Sequence, residues 1–399
     1  MKQNIFVYRV AQAASFLVAK LIFNRQVIRN EIKGKKGPFV IIANHQCALD
    51  FVSLISLTKT PMSFVISNAF YNSLPIKGLL DRMGLIPKQQ FQTTVKDMKN
   101  MKAVIEKGNP LVIYPAGLMC EDGISTPIPE ATYKFLKWLG VDVYVAKVSG
   151  TYFSMPKWAK GFRPGKTFID VYKLFSKEEL LGSDVDEIKN RAEAALVFDA
   201  YKEQETLRVR FKNNKISGLE SVLYMCPHCL REFEMWVRDK NVIGCKHCGF
   251  EQVSDEFSFL HNHKGIGNEI RYVSDWSRKI FTQLKEKIET GQLRDLSAKT
   301  TIMVIDSKKH KFVTVGQGTV TLNEKGFIID GKINGEKSVI EVSTANFPTL
   351  PFSPGKYFEI QQGKNIYRCC LEDGKLVMKF INMVKAFYLL KKQKVGANL

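Results

Sequence analysis

Two sets of side chains in this 399-residue chain have the types and spacing to do chemistry. The first is His45 with Asp50, at the end of the run Gly37-Pro38-Phe39-Val40-Ile41-Ile42-Ala43-Asn44. An imidazole held through one nitrogen by a carboxylate can take a proton from a substrate hydroxyl with the other. That is half of a hydrolase triad, and with no Gly-x-Ser-x-Gly elbow in the chain no nucleophile accompanies it. The second set is Cys226-x2-Cys229 and Cys245-x2-Cys248, with fifteen residues between the pairs. Each pair fits a tight knuckle that points two thiolates at one ion, and four thiolates close a tetrahedral zinc site with no open position. Such a site staples a small fold, so zinc is expected as a structural cofactor. His228 and His247 fall inside the pairs as spacers and are expected at the surface.

The elements that must position His45 and Asp50 follow from the local pattern. Phe39 to Ala43 is short, continuous and apolar, the signature of a buried strand. Asp50 lies among Leu49, Phe51, Val52, Leu54, Ile55 and Leu57, whose spacing fits a helix pressed onto a core. Five residues along one helix turn a side chain through about 140°, so two such residues would not share a face. His45 must therefore precede the helix, at the strand's end. Active sites of α/β folds sit at such strand ends. Cys47, though close by, is expected to pack the helix rather than to act as a nucleophile.

With Asn44 included, Asn44, His45 and Asp50 resemble the first motif of the glycerolipid acyltransferase family, whose best-known members acylate 1-acylglycerol-3-phosphate. Gly84-Leu85-Ile86-Pro87-Lys88 resembles the second motif, with Lys88 as the nearest cation where an arginine is usual. Tyr114-Pro115-Ala116-Gly117-Leu118-Met119 resembles the third, with Ala116 in place of its glutamate and Met119 in place of its arginine. Glu121 and Asp122 follow, either as replacements for the lost acid or, the more common case, as solvated carboxylates of a polar loop, and in the faint fourth motif Ala146 replaces a proline. The resemblance implies transfer of a fatty acyl group from acyl-CoA or acyl-carrier protein to a hydroxyl of a lysophospholipid or glycolipid. It implies His45 as general base and Asp50 as its orienter, with no acyl-enzyme. Asn44, Lys88, Pro115 and Gly117 would bind substrate, and the altered third motif puts the glycerol-phosphate head in question.

The formal charge of +20, from 59 Lys and Arg against 39 Asp and Glu, favours a polyanionic partner. Residues 1 to 37 carry eight basic side chains against Glu31 alone, beside the mostly apolar stretch Ile5 to Phe23. Arg9, Gln12 and Lys20 interrupt that stretch, so an interfacial helix on an anionic membrane is expected rather than a span. Its plainer alternative is a helix packed on its own domain. A peripheral or monotopic place on the cytoplasmic face of a membrane follows, and the eight cysteines fit a reducing compartment. The ribbon segment Met225 to Phe250 has a net charge of only +1, so nucleic acid is not the expected partner. The competing reading keeps the first domain as a non-catalytic scaffold for a ribbon that binds nucleic acid or protein.

The layout expected is an α/β acyltransferase-like domain over 1–215, a zinc ribbon over 216–253, a linker and helix over 254–299, and a β-rich domain over 300–399. The polar stretch Ser254 to Gly267, with His261 and His263, reads as linker. Asn268 to Gln292 reads as a helix carrying Trp276, Ile280, Leu284 and Ile288. Short β runs from Thr301 to Phe380 and a closing helix from Ile381 to Lys392 look like a pleckstrin-homology-like all-β domain. Lys311 to Val315 and Thr319 to Leu322 are expected as separate strands, and Leu376 to Phe380 as the last one.

Overall fold

Strands of three to nine residues, alternating with helices, build a seven-stranded sheet in the N-terminal part of the chain. The computed structural model describes residues 3–90, 94–212, 215–306, 308–344, 347–363 and 365–396. The chain divides into two compact units, Met1–Lys157 with Gly161–Asn213, and Trp158–Lys160 with Asn214–Leu399.

In the first unit the strands are β1 (Arg25–Asn30), β2 (Val40–Ala43), β3 (Ser63–Ser67), β4 (Ile86–Lys88), β5 (Leu111–Ile113), β6 (Val143–Ser149) and β7 (Thr167–Phe175), in the spatial order β1-β7-β6-β2-β5-β3-β4. Only the β6–β7 pair is antiparallel. β2 is central, with all four residues buried, which is why its sequence is apolar throughout rather than alternating. Val40 and Ile42 enter one core with Leu111, Val143 and Val145. Ile41 and Ala43 enter the opposite core with Leu54, Ile55, Val112 and Tyr144. The central strand is thus clamped on both faces, and its carboxyl end is a fixed point.

Two strands escape the sequence pattern. β1 is an edge strand, largely exposed, and its polar Arg-Gln and Arg-Asn ends hide a strand with little burial. β7 alternates buried Thr167, Ile169 and Val171 with half-buried neighbours, the ordinary signal of a strand with one face inward. The helix Ile5–Leu21 buries Tyr8, Ser15 and Ala19. The Tyr8 hydroxyl accepts from the Met62 amide at 3.0 Å. The same helix leaves Phe6, Val10, Leu17 and Leu21 exposed.

In the second unit β8 (Met235–Arg238), β9 (Val242–Cys245), β10 (Glu251–Ser254) and β11 (Leu260–Asn262) form an antiparallel sheet in the order β11-β10-β9-β8. The stretch read as linker therefore holds β11, and His261 pairs there with Asp255 at 3.0 Å. The helix Val273–Glu289 buries Trp276, Ile280 and Leu284, as their spacing requires. The Trp276 indole donates to the Met225 carbonyl at 2.9 Å.

A second antiparallel sheet of this unit comprises β12 (Leu296–Asp306), β13 (Lys311–Asn323), β14 (Gly326–Ile333), β15 (Glu336–Val342), β16 (Phe352–Ser353), β17 (Tyr357–Gln362) and β18 (Asn365–Leu371). The two runs expected from Lys311 to Leu322 are the single strand β13. Gly316 and Gly318 suggest a break, yet both stand where the β14 backbone leaves no room for a side chain. Leu376 to Phe380 is helical, the start of a helix that runs over Val377–Gly396. Val377, Phe380, Ile381 and Val384 are all buried, and that 3.6-residue spacing prevails over the strand-like local pattern.

Candidate functional site

β2 ends at Ala43, paired with Ala146 of β6. The next residue, Asn44, is buried, and its amide is used twice on one backbone unit. Nδ2 donates to the Val148 carbonyl and Oδ1 accepts from the Val148 amide, both at 2.7 Å. Asn44 is thus a staple between the ends of β2 and β6. One donor and one acceptor site of the amide are occupied in this way, and Asn44 also lines the recess beside His45.

The chain then turns through His45, Gln46 and Cys47 and enters the helix Asp50–Ile55. Asp50 has no exposed surface. Its Oδ2 accepts from His45 Nδ1 at 2.9 Å, the Gln46 amide at 2.6 Å and the Cys47 amide at 2.9 Å. Its Oδ1 accepts from the Thr151 hydroxyl at 2.7 Å and from the Cys47 thiol at 3.4 Å. A buried carboxylate is tolerable only when hydrogen bonds replace its hydration, and here every donor comes from the protein. With Nδ1 engaged by Asp50, Nε2 is the remaining ring nitrogen. His45 lies on the turn before the helix, where the five-residue offset required it.

The third-motif loop lies against this turn. The Cys120 amide donates to the His45 carbonyl at 3.4 Å, and the Gly117 amide closes a turn on the Tyr114 carbonyl at 3.0 Å. The Tyr114 ring stacks at a tilt on the His45 imidazole, 4.5 Å between centroids. Burial, followed by the nearby Asp50 charge, pushes the Tyr114 phenol well above its ordinary range. The same two causes push the Cys47 thiol well up, which keeps it a thiol and not a nucleophile. Cys120 is raised too, first by burial and then by Asp122 and Glu121. Glu121, expected as a solvated loop carboxylate, is in fact buried.

A recess opens beside His45. Pro115 and Ala116 form part of its wall, with Ser125, Thr126, Val197 and Phe198 among the residues that complete it. Among the described residues, none that lines it is Lys, Arg, Asp or Glu. Lys88 is not among them: its ammonium donates to the Gln89 carbonyl at 3.2 Å, and burial lowers its pKa against the opposing pull of Asp97. The structure therefore brings together His45, Asp50, Asn44 and Pro115, with Gly117 in the adjoining turn, and leaves Lys88 outside the recess.

Thr151, Gln46 and Tyr114 are the neighbours that sequence reasoning passed over. Tyr114 carried a signal, standing first in the third motif. Thr151 carried none, being 101 residues from Asp50.

In the second unit Cys226, Cys229, Cys245 and Cys248 bring their sulfurs within 4.8 Å of one another. Cys226 and Cys248 are 3.6 Å apart, and Cys229 and Cys245 are 3.8 Å apart. Sulfurs at about 2.3 Å from a tetrahedral zinc stand about 3.8 Å from each other, so the donor set fits that ion. Both knuckles have one geometry: Leu230 donates to Cys226 and Gly249 to Cys245, each from a left-handed residue at φ 61° and φ 74°. His228 and His247 are exposed, as expected of spacers.

Comparison with known proteins matches residues 24–144 to the family model described as Acyltransferase. The chain is 26% identical over 159 residues to 1-acyl-sn-glycerol-3-phosphate acyltransferase BAT2, chloroplastic, of Brassica napus, which is 39% of this chain and 45% of that protein. It is 25% identical over 163 residues to 1-acyl-sn-glycerol-3-phosphate acyltransferase LPAT1, chloroplastic, of Arabidopsis thaliana, 40% of this chain and 44% of that one. The chain thus spans less than half the length of these curated relatives. Among solved structures it is similar to the 1-acyl-sn-glycerophosphate (LPA) acyltransferase PlsC from Thermotoga maritima, with 18% identity, a TM-score of 0.41, and coverage of 48% of this chain and 77% of that one.

The Asn44 staple has a measurable consequence. Asn44→Leu keeps the bulk but leaves the N–H and C=O of Val148 buried and unpaired, at a cost of about 1–3 kcal/mol for each orphaned group. A denaturant titration of the full chain should show the first unit unfolding earlier, and wild-type stability would contradict the staple.

Proposed function

We propose that the chain, whose residues 24–144 match the acyltransferase family model, transfers a fatty acyl group from acyl-CoA or acyl-carrier protein to a hydroxyl of a membrane lysolipid. The observation that carries this reading is the His45 Nδ1–Asp50 Oδ2 contact of 2.9 Å, on a carboxylate with no exposed surface. Asp50 keeps the proton on Nδ1, and Nε2 removes the proton of the acceptor hydroxyl as its oxygen attacks the thioester carbonyl carbon. The C–S bond then breaks, a C–O ester bond is left, and the imidazolium returns its proton to the departing thiolate. No acyl-enzyme is needed, in keeping with the buried thiols of Cys47 and Cys120.

The acceptor hydroxyl, of a glycerol or a sugar, is read as reaching His45 beside the wall that Pro115 and Ala116 help to form. Pro115 and Gly117 are assigned the shaping of that wall. The reading of a nucleic-acid-binding scaffold is not favoured, because the His45–Asp50 pair is intact within the family segment.

His45→Ala is expected to lower thiol release from acyl-CoA by ~10²–10⁴ in the presence of lysolipid. Asp50→Asn should come close to the same loss. Wild-type turnover in the His45→Ala protein would refute the general-base assignment.

Attachment to a membrane is assigned to the helix Ile5–Leu21. Phe6, Val10, Leu17 and Leu21 share one face and are 76, 55, 55 and 75% exposed. Residues 1 to 37 supply a net charge of +7 beside it. No helix among the described residues is long and apolar enough to cross a membrane, so the helix is read as lying in the interface. Each basic group near an anionic surface contributes about 1 kcal/mol, screened by salt. In vesicle flotation the protein should rise with anionic vesicles at low salt, and Phe6→Ser with Leu17→Ser should leave it at the bottom. Equal flotation with neutral vesicles would remove the electrostatic half of the assignment.

The four-cysteine unit is read as a zinc ribbon, and the second sheet with its closing helix as a pleckstrin-homology-like domain. Cys226, Cys229, Cys245 and Cys248 would hold the ion, which would fasten the two knuckles and take no part in acyl transfer. Elemental analysis of freshly prepared, reduced protein should find one zinc per chain, and Cys226→Ser should lose it. A metal content near zero in the wild type would overturn the ribbon.

A further inference from the structure

The proposed mechanism uses one oxygen of Asp50 and leaves the other unexplained. Oδ2 gathers three N–H donors from its own turn, whereas Oδ1 depends on the Thr151 hydroxyl at 2.7 Å and the weaker Cys47 thiol at 3.4 Å. Thr151 is fully buried and opens the short helix Thr151–Ser154, directly after β6. Gly150, at φ 84°, makes the turn that delivers it, and a Cβ there would stand 2.9 Å from the Lys166 carbonyl oxygen.

A threonine hydroxyl has one proton, and two acceptors compete for this one. Gln46 Oε1 lies 3.2 Å from Thr151 Oγ1, while Asp50 Oδ1 lies 2.7 Å away and is charged. Gln46 Oε1 already accepts from the Tyr152 amide at 3.1 Å. The proton therefore goes to Asp50, and the segment after β6 grips the turn at two points, Thr151 on Asp50 and Tyr152 on Gln46.

We propose that Thr151 is a positioning residue for the reaction: by holding Oδ1 it fixes the plane of the Asp50 carboxylate, and through Oδ2 the orientation of the His45 ring. This rests on His45 acting as the general base. Without the hydroxyl, Oδ1 keeps only a thiol donor, and the carboxylate gains by rotating about its Cβ–Cγ bond toward any other donor. Rotation of Oδ1 displaces Oδ2, and Nε2 loses its aim at the acceptor hydroxyl. Thr151 touches neither reacting atom, so its effect belongs to the transition state and not to donor binding.

The test uses the full chain with oleoyl-CoA as donor and, in separate assays, 1-oleoylglycerol-3-phosphate and 1-oleoylglycerol as acceptors. Thr151→Val, which keeps the shape and removes the hydroxyl, should lower kcat about 10- to 100-fold with KM for oleoyl-CoA changed less than about twofold. Thr151→Ser, which restores the hydroxyl, should return kcat to within about threefold of the wild type. Wild-type kcat in Thr151→Val beside an inactive His45→Ala would overturn the inference alone, and so would equal losses in Val and Ser. An active His45→Ala protein would instead overturn the general-base reading. Independently of turnover, the Nδ1–H signal of His45 in protein labelled with ¹⁵N-histidine should shift or broaden in Thr151→Val and match the wild type in Thr151→Ser. An unchanged signal in a folded Thr151→Val protein would refute the positioning role.

Discussion

A carboxylate with no exposed surface cannot remain ionised inside a protein unless its lost hydration is replaced, and in the first unit Asp50 sets that demand. Five donors meet it: the imidazole of His45, the amides of Gln46 and Cys47, the thiol of Cys47 and the hydroxyl of Thr151. They come from two segments far apart in sequence, so the surrounding sheet must hold those segments in register. β2 does this from the centre, clamped between β5 and β6, and the Asn44 amide locks its end to Val148. The fold is in this sense a frame for one buried charge, and the imidazole is oriented as a consequence.

Much of this frame was legible in the sequence because it is local. A buried strand, a turn and an apolar helix follow one another within sixteen residues of Phe39, and the five-residue offset alone placed His45 before the helix. The parts that were not legible are long-range or ambiguous in period. Thr151 has no motif of its own; it is found only when β6 is paired with β2. The Asn44 amide meets the Val148 backbone, a partner 104 residues away that no local pattern announces. β1 hid behind its charged ends, and Leu376-Val377-Met378-Lys379-Phe380 satisfies both the strand and the helix pattern until the residues beyond it are counted.

The second unit answers to a different constraint. Its cysteines were readable from spacing because two identical knuckles must each turn two sulfurs toward one point, and Leu230 and Gly249 take the left-handed conformation that this turn needs. Four sulfurs facing one point would leave a bound ion no open position, whereas the recess at His45 presents an imidazole held on one side by Asp50. In the proposed reading structure-making falls to the four thiols and chemistry to the imidazole–carboxylate pair.

In the proposed mechanism Asp50 fixes the His45 ring with its proton on Nδ1 and Nε2 free to act. Side-chain ¹⁵N–¹H correlation on the histidine-labelled full chain, with His45 assigned by its loss in His45→Ala, reads this directly. The neutral ring is expected as the Nδ1–H tautomer, with a proton sheltered from exchange and an Nε2 signal without one. A His45 ring protonated on Nε2 and bare at Nδ1 would contradict it.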